Sequence, residues 1–256
     1  MKANSMRPCV LVFSGLDPSG GAGIQADIEA IAAQGAHALP IVTALTVQDN
    51  QRVHEVAPVD AGLLVRQASL LVKTMPIRAL KLGIPGNLAN AEAIAGIVLL
   101  LRARHPALPV VLDPVLASGH GDPLARGDAL AALAPLLALA TVVTPNLPEA
   151  ALLGPVDVPH LLVTGGHGDG DEVLNRWHGC EGGRESVREW RWPRLPGEFH
   201  GSGCTLAATL AARLALGDPM AQALERAQLA CQQALADSYA IAHGQRIPRR
   251  IEHRGA

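Results

Sequence analysis

The sequence predicts an α/β domain built on a mostly parallel sheet with helices on both faces. Short runs rich in β-branched and aliphatic residues alternate along most of the chain with longer Ala/Leu-rich segments of helical character. No Pro/Ser/Gly linker interrupts that alternation, so residues 1–256 read as one domain, with 244–256 as a flexible tail. Polar and glycine-rich stretches fall just after the strand-like runs, and ligands of such sheets bind beyond the carboxyl ends of the strands.

The elements follow in order. Cys9 to Ser14 reads as a strand, Gly15 to Gly23 as a glycine-rich loop and Ile24 to Gln34 as a helix stopped by Gly35. A second strand spans Leu39 to Thr46, and Val53 to Val56 forms a short flap. Helix Ala61–Lys73, strand Ala79–Leu82, helix Ala89–Arg104 and strand Val110–Leu112 continue the alternation. Then come helix Asp128–Leu139, strand Thr141–Val143, the brief helix Pro148–Leu153 and strand Leu161–Thr164. Glu172 to Trp192 alternates polar and apolar residues around glycines, the pattern of an edge hairpin. The closing segment Met220–Ala242 is a long packing helix.

Composition excludes several classes. A formal net charge of −2 without a basic block, apart from Arg246 to Arg254, argues against a nucleic-acid partner. The longest apolar stretch, Ala129 to Val143, is shorter than a membrane span and contains Pro135, so no membrane is expected. Four widely separated cysteines offer no zinc spacing, and free thiols in a reducing cytoplasm are the simplest reading.

His200-Gly-Ser-Gly-Cys204-Thr leads straight into a helical run ending at Leu216. Unpaired N–H groups at a helix start, backed by the helix dipole, form an anion site, and glycines let a phosphate approach. Cys204 sits where a thiolate is favoured, although a small buried cysteine before a packed helix fits the same letters. Neither G-x-x-x-x-G-K-[ST] nor G-x-G-x-x-G is present. A kinase without them needs a glycine nest, acidic groups for Mg²⁺ and a base for the acceptor.

Seven motifs make the reading specific: Gly15-x-Asp17-Pro-Ser-Gly-Gly-Ala-Gly-Ile-Gln-Ala-Asp27, Thr43-Ala-Leu-Thr-x-Gln48, Lys81-x-Gly83, Asp113-Pro-Val, Thr144-Pro-Asn146-Leu-Pro-Glu149-Ala, Gly165-Gly-His167 and His200-Gly-Ser-Gly-Cys204-Thr. In this order they resemble the hydroxymethylpyrimidine/phosphomethylpyrimidine kinases of the ribokinase-like superfamily. The resemblance implies a three-layer αβα sandwich with a flap and an edge hairpin. It implies ATP- and Mg²⁺-dependent phosphorylation of 4-amino-5-hydroxymethyl-2-methylpyrimidine and then of its monophosphate, in thiamine biosynthesis. By position, Gly15, Asp27 and Gln48 would hold the aminopyrimidine, and Asp113 and Glu149 would serve Mg²⁺. Asn146, Thr164 and Gly166 would meet the nucleotide. Gly201, Ser202, Gly203 and Cys204 would stabilise the transferred phosphoryl, with Cys204 also the base. A homodimer is left open.

Two departures accompany the resemblance. Thr164 stands where the family usually has Lys, so another cation must compensate. Only Gly154 to His160 connect the short helix to the next strand, where the family usually has a further helix. The Gly/Asp-rich segment His167 to Glu172 reads as a mobile lid. The rival readings are a pyridoxal kinase of the same fold and a non-catalytic pyrimidine sensor.

Overall fold

The computed structural model describes residues 6–116, 124, 128–181 and 183–251. Among these, nine strands form one sheet in the order β3-β2-β1-β4-β5-β6-β7-β8-β9. The strands are β1 (Cys9–Leu16), β2 (His37–Gln48), β3 (Val53–Pro58), β4 (Ile77–Leu82), β5 (Val110–Leu112), β6 (Val142–Val143), β7 (His160–Val163), β8 (Glu172–Glu181) and β9 (Arg184–Pro193). The six strands from β2 to β7 in that order pair in parallel. The flap strand β3 and the hairpin β8–β9 add antiparallel edges.

Alternation along the buried strands divides the core in two. Cys9, Leu11 and Phe13 of β1 pack with Leu80, Leu82 and Leu112 under α2 (Ala61–Thr74), α3 (Leu88–Arg102) and α4 (Ala129–Leu137). Val10, Val12, Ala79 and Val111 face the opposite layer of α1 (Gly23–Ala33), α6 (Ser202–Ala215) and α7 (Met220–Ala236). The seventh helix, α5 (Leu147–Leu153), alone fills the crossover from β6 to β7, and Val158 of the shortened connection packs on the first core.

Helix starts differ in a way that bears on function. Asp60, Asn87, Asp128 and Asn146 cap α2 to α5 by accepting from backbone N–H groups of the first turn. Helices α1, α6 and α7 begin at Ala22, Gly201 and Pro219 with no side-chain cap, and of these α1 and α6 follow the two glycine loops.

Two expectations need correction. Helix α7 ends at Ala236 rather than Ala242, and residues 244–251 are not a loose tail. The chain turns back on itself, with Tyr239 paired to Ile247 and Phe199 to Arg246, and both Ile247 and Arg250 are buried. Arginines supply the reason: Arg246 donates to the Ser238 carbonyl and hydroxyl, and Arg249 to the Asp237 carbonyl. The open carbonyls beyond a helix end are thereby paired by the tail. Residues 252–256 of that tail, and Gly182 of the hairpin, lie outside the described residues.

Candidate active site

A cleft of about 510 Å³ opens at the carboxyl ends of the parallel strands, between the flap, the two glycine loops, the hairpin and α7. Its size suits a small-molecule site. It brings together Gly15, Gln48, Asp113, Asn146, Glu149, Thr164, Gly166 and the run Gly201–Cys204. Asp27 is the one proposed site residue behind the wall, with no exposed surface.

The nest is built by the uncapped start of α6. Gly201 has φ +78°, and a Cβ there would stand 2.2 Å from the Gly21 carbonyl oxygen. Only glycine allows this turn and this approach together. The backbone then enters the helix at Ser202, leaving first-turn N–H groups for an anion.

Below the nest lies a buried charge cluster. Lys81 falls on the same strand face as Ala79, so it points toward α1 and α6, and Asp113 continues that parity from Val111 on β5. Lys81 Nζ is 3.0 Å from both Asp27 oxygens and 3.9 Å from Asp113 Oδ2. Burial works against the ammonium, but Asp27, Cys204 and Asp113 overcompensate and hold its pKa above the ordinary value. Burial, partly opposed by Lys81, raises both carboxyls. Asp113 Oδ2 is buried with no hydrogen-bond partner, a carboxylate oxygen suited to a cation in the cleft. No group of three His, Cys, Asp or Glu side chains among the described residues is arranged to hold a metal alone.

Cys204 departs from expectation. Burial pushes its thiol up to about 12, and Asp113 and Asp27 add to the rise against the pull of Lys81 and the Gly23 N–H. Desolvation over two carboxylates outweighs the helix start, so the free protein carries a thiol rather than the expected thiolate.

Asp17 organises the loop between β1 and α1. Its carboxylate accepts from Ser19 N and Oγ and from Ala22 N, and lies 2.7 Å from His200 Nε2. Gln48 also donates to it. Burial alone would raise this acid, but these hydrogen bonds and the nearby imidazole hold it well below the ordinary range. The glycine loop, the end of β2 and the residue before the nest thus meet on one carboxylate.

At the other end, Asn146 and Glu149 form a reciprocal capping box, each side chain accepting from the other's backbone N–H at 2.9 Å. Glu149 still lines the cleft, and burial with the Asp113 charge pushes its carboxyl up to about 7. Thr164 donates its N–H to the Pro145 carbonyl. Beside it, Arg194 reaches the carbonyls of Gly165, Gly166, Gly170 and Glu172. One guanidinium therefore pins residues 165–172, which include the His167–Glu172 stretch that the sequence reads as a lid, and places a cation in the cleft wall near Thr164.

The family model for phosphomethylpyrimidine kinase matches residues 17–158 and 154–248. The chain belongs to the phosphomethylpyrimidine kinase family. A hydroxymethylpyrimidine/phosphomethylpyrimidine kinase of Mycobacterium leprae is 34% identical, over 92% of this chain and 91% of that protein. A thiamine biosynthesis multifunctional protein of Corynebacterium efficiens is also 34% identical over 93% of this chain, which spans only 34% of that longer protein. The fold is ribokinase-like: the structure of an ADP complex of Bacillus subtilis pyridoxal kinase superposes with TM-score 0.82 at 24% identity, over 96% of this chain and 98% of that one.

Within this phosphomethylpyrimidine kinase fold, the sequence left Asp17, Lys81, Asn175, Arg194, Gln228 and Arg250 without a role. Lys81 carried a usable signal, being a charge set in the apolar run Ala79–Leu82 and in phase with Asp113. The hairpin and α7 read as packing, yet both line the cleft. Asn175 accepts from Gly165 N and donates to Gln228, which also accepts from Trp192 Nε1.

Proposed function

We propose that this protein is a kinase that transfers the γ-phosphoryl group of ATP to 4-amino-5-hydroxymethyl-2-methylpyrimidine, and then to the resulting monophosphate, in cytoplasmic thiamine biosynthesis. The observation that carries this reading is the juxtaposition of a glycine-bounded, uncapped helix start with a buried Asp113 carboxylate oxygen that accepts no hydrogen bond and has only the Lys81 ammonium, 3.9 Å away, as an ion-pair partner, in one cleft.

Each residue has a task in that reaction. Gly201, Ser202, Gly203 and Cys204 present backbone N–H groups to the charge on the transferred phosphoryl. Asp113, with Glu149, holds Mg²⁺, which neutralises phosphate charge when bound; one or two carboxylates completed by phosphates and water are its usual set. Asn146, Thr164 and Gly166 border the nucleotide phosphates, with Arg194 as the neighbouring cation. Gln48 donates to Asp17, which leaves its carbonyl oxygen to accept from the exocyclic amino group of the ring. Asp27, being fully buried, acts on the ring only through the Lys81 cluster and the α1 backbone. Cys204 is the group placed to take the alcohol proton, which it does as the thiolate once the thiol has lost its own proton to solvent.

The test is a product-resolved assay with purified protein, MgATP, the pyrimidine alcohol, its monophosphate and pyridoxal. Polar groups left unpaired in a desolvated site cost about 1–3 kcal/mol each, so kcat/KM should favour the pyrimidine over pyridoxal by at least ~10²-fold. Gln48→Ala should erode that preference mainly through the pyrimidine. Equal use of pyridoxal would move the assignment to a pyridoxal kinase, and absence of ATP turnover would favour a binding protein.

A further inference from the structure

Residues 243–250 run back from the end of α7 across the segments that build the site. Asn50, in the turn after β2, donates to the carbonyls of His243 and Gln245 at 3.1 Å. Arg246 donates its N–H to the Glu198 carbonyl and accepts from His200 N, just before the nest. Ile247 is buried, with Cδ1 2.7 Å from where a Cβ on Gly21 would stand.

Arg250 completes this strap with a side chain that has no solvent exposure. Its Nε donates to Thr205 Oγ1 at 2.8 Å, one Nη to Glu29 of α1 at 3.2 Å, and the other Nη to the Gly21 carbonyl. Thr205 Oγ1 in turn donates to the Gly201 carbonyl at 2.7 Å. One guanidinium therefore grips the first glycine loop directly and the start of α6 through a single hydroxyl. Its Nη2 lies 3.0 Å from the position a Gly201 Cβ would take, so a buried cation sits directly beneath the nest.

We propose that Arg250 is a positioning residue for phosphoryl transfer, which fixes the spacing of the two glycine loops and lends the nest positive charge. The proposal rests on the kinase reading. Preorganised donors in a water-poor site act most strongly on the charge that develops during transfer, so the contribution falls on kcat more than on substrate binding. A planar fork holds carbonyl, hydroxyl and carboxylate together, which an ammonium does not reproduce.

The experiment compares wild type with Arg250→Met, Arg250→Lys and Thr205→Val in the full chain. Loss of a charge-assisted contact that matters in the transition state predicts a fall in kcat of about 10- to 100-fold for Arg250→Met, with both KM values nearly unchanged. Dilute guanidinium should restore part of that kcat and leave wild type unaffected, and Arg250→Lys should be intermediate. Thr205→Val, which keeps the other Arg250 contacts, should fall in the same direction and be non-additive with Arg250→Met. It also serves if Arg250→Met does not fold. Amide exchange at residues 198–205 should quicken in folded variants of matched global stability. A wild-type kcat in folded Arg250→Met, strict additivity or unchanged exchange overturns the proposal. Wild type that fails to phosphorylate the pyrimidine overturns the kinase reading instead, while the exchange measurement still decides whether Arg250 holds the loops.

Discussion

Replacing Cys204 with alanine should separate the two phosphorylations. The first acceptor is an alcohol that must lose a proton, whereas the second is a phosphate monoester with a second pKa of about 6, already ionised near neutrality. A positioned base contributes about 10²–10⁴-fold, and only the first step has a proton for it to take. The backbone donors of the nest survive the substitution and serve both steps. Cys204→Ala should therefore lower kcat/KM for the alcohol by a factor that grows with pH as the thiolate becomes populated, and change that for the monophosphate by less than about tenfold at any pH. The structure also fixes a pH signature. With the free-protein thiol at about 12, the thiolate population at pH 7–9 still grows tenfold per pH unit. Glu149, at about 7, would serve both steps alike in the proposed Mg²⁺ role and so cancels in their ratio. In wild type the ratio of alcohol to monophosphate kcat/KM should climb about tenfold per pH unit across that range, and in Cys204→Ala it should be flat. Initial rates with chromatographic separation of mono- and diphosphate measure both quantities. Equal losses in the two steps, or a pH-independent wild-type ratio, would refute the base assignment.

Three further outcomes follow from the geometry. Because the Glu149 carboxyl is raised from 4.5 to about 7, its folded form prefers the proton, and its contribution to stability is lost as pH rises through that window. Glu149→Gln should raise the melting temperature by several degrees at pH 8, from at most about 3 kcal/mol, and change it little below pH 4.5, while lowering kinase activity. Gly201→Ala should lose stability and essentially all turnover, because its Cβ meets the Gly21 carbonyl at φ +78°, whereas Gly166→Ala, with nothing within 4 Å, should keep a wild-type melting curve. Arg194→Ala should raise KM for MgATP by about tenfold or more, in line with loss of a charged hydrogen-bond anchor, and speed exchange in residues 165–172; unchanged values would remove Arg194 from the nucleotide end.

How much was legible depended on how local the physics is. The order of strands and helices could be read from periodicity because a strand buried on both faces and its covering helix each write their pattern within a few residues. The nest at Gly201–Cys204 was readable for the same reason, since a glycine turn running into a helix is contiguous. Boundaries were less secure: α7 stops at Ala236 because Arg246 and Arg249, beyond the helix, take up nearby carbonyls.

What the tertiary structure decided was which charges are compensated, and by whom. Asp27 reads as a ring ligand in the motif, but Lys81, 54 positions away, claims it at full burial. Cys204 reads as a thiolate from its helix start alone, and its pKa rises because folding removes water from it and, secondarily, sets Asp113 and Asp27 nearby. Arg250 reads as part of a basic tail, yet folding carries it 229 positions back to the Gly21 carbonyl. Sequence patterns carry backbone periodicity, which is local. Desolvation and ion pairing depend on distances in space, and only the assembled sheet and its two helical layers set those.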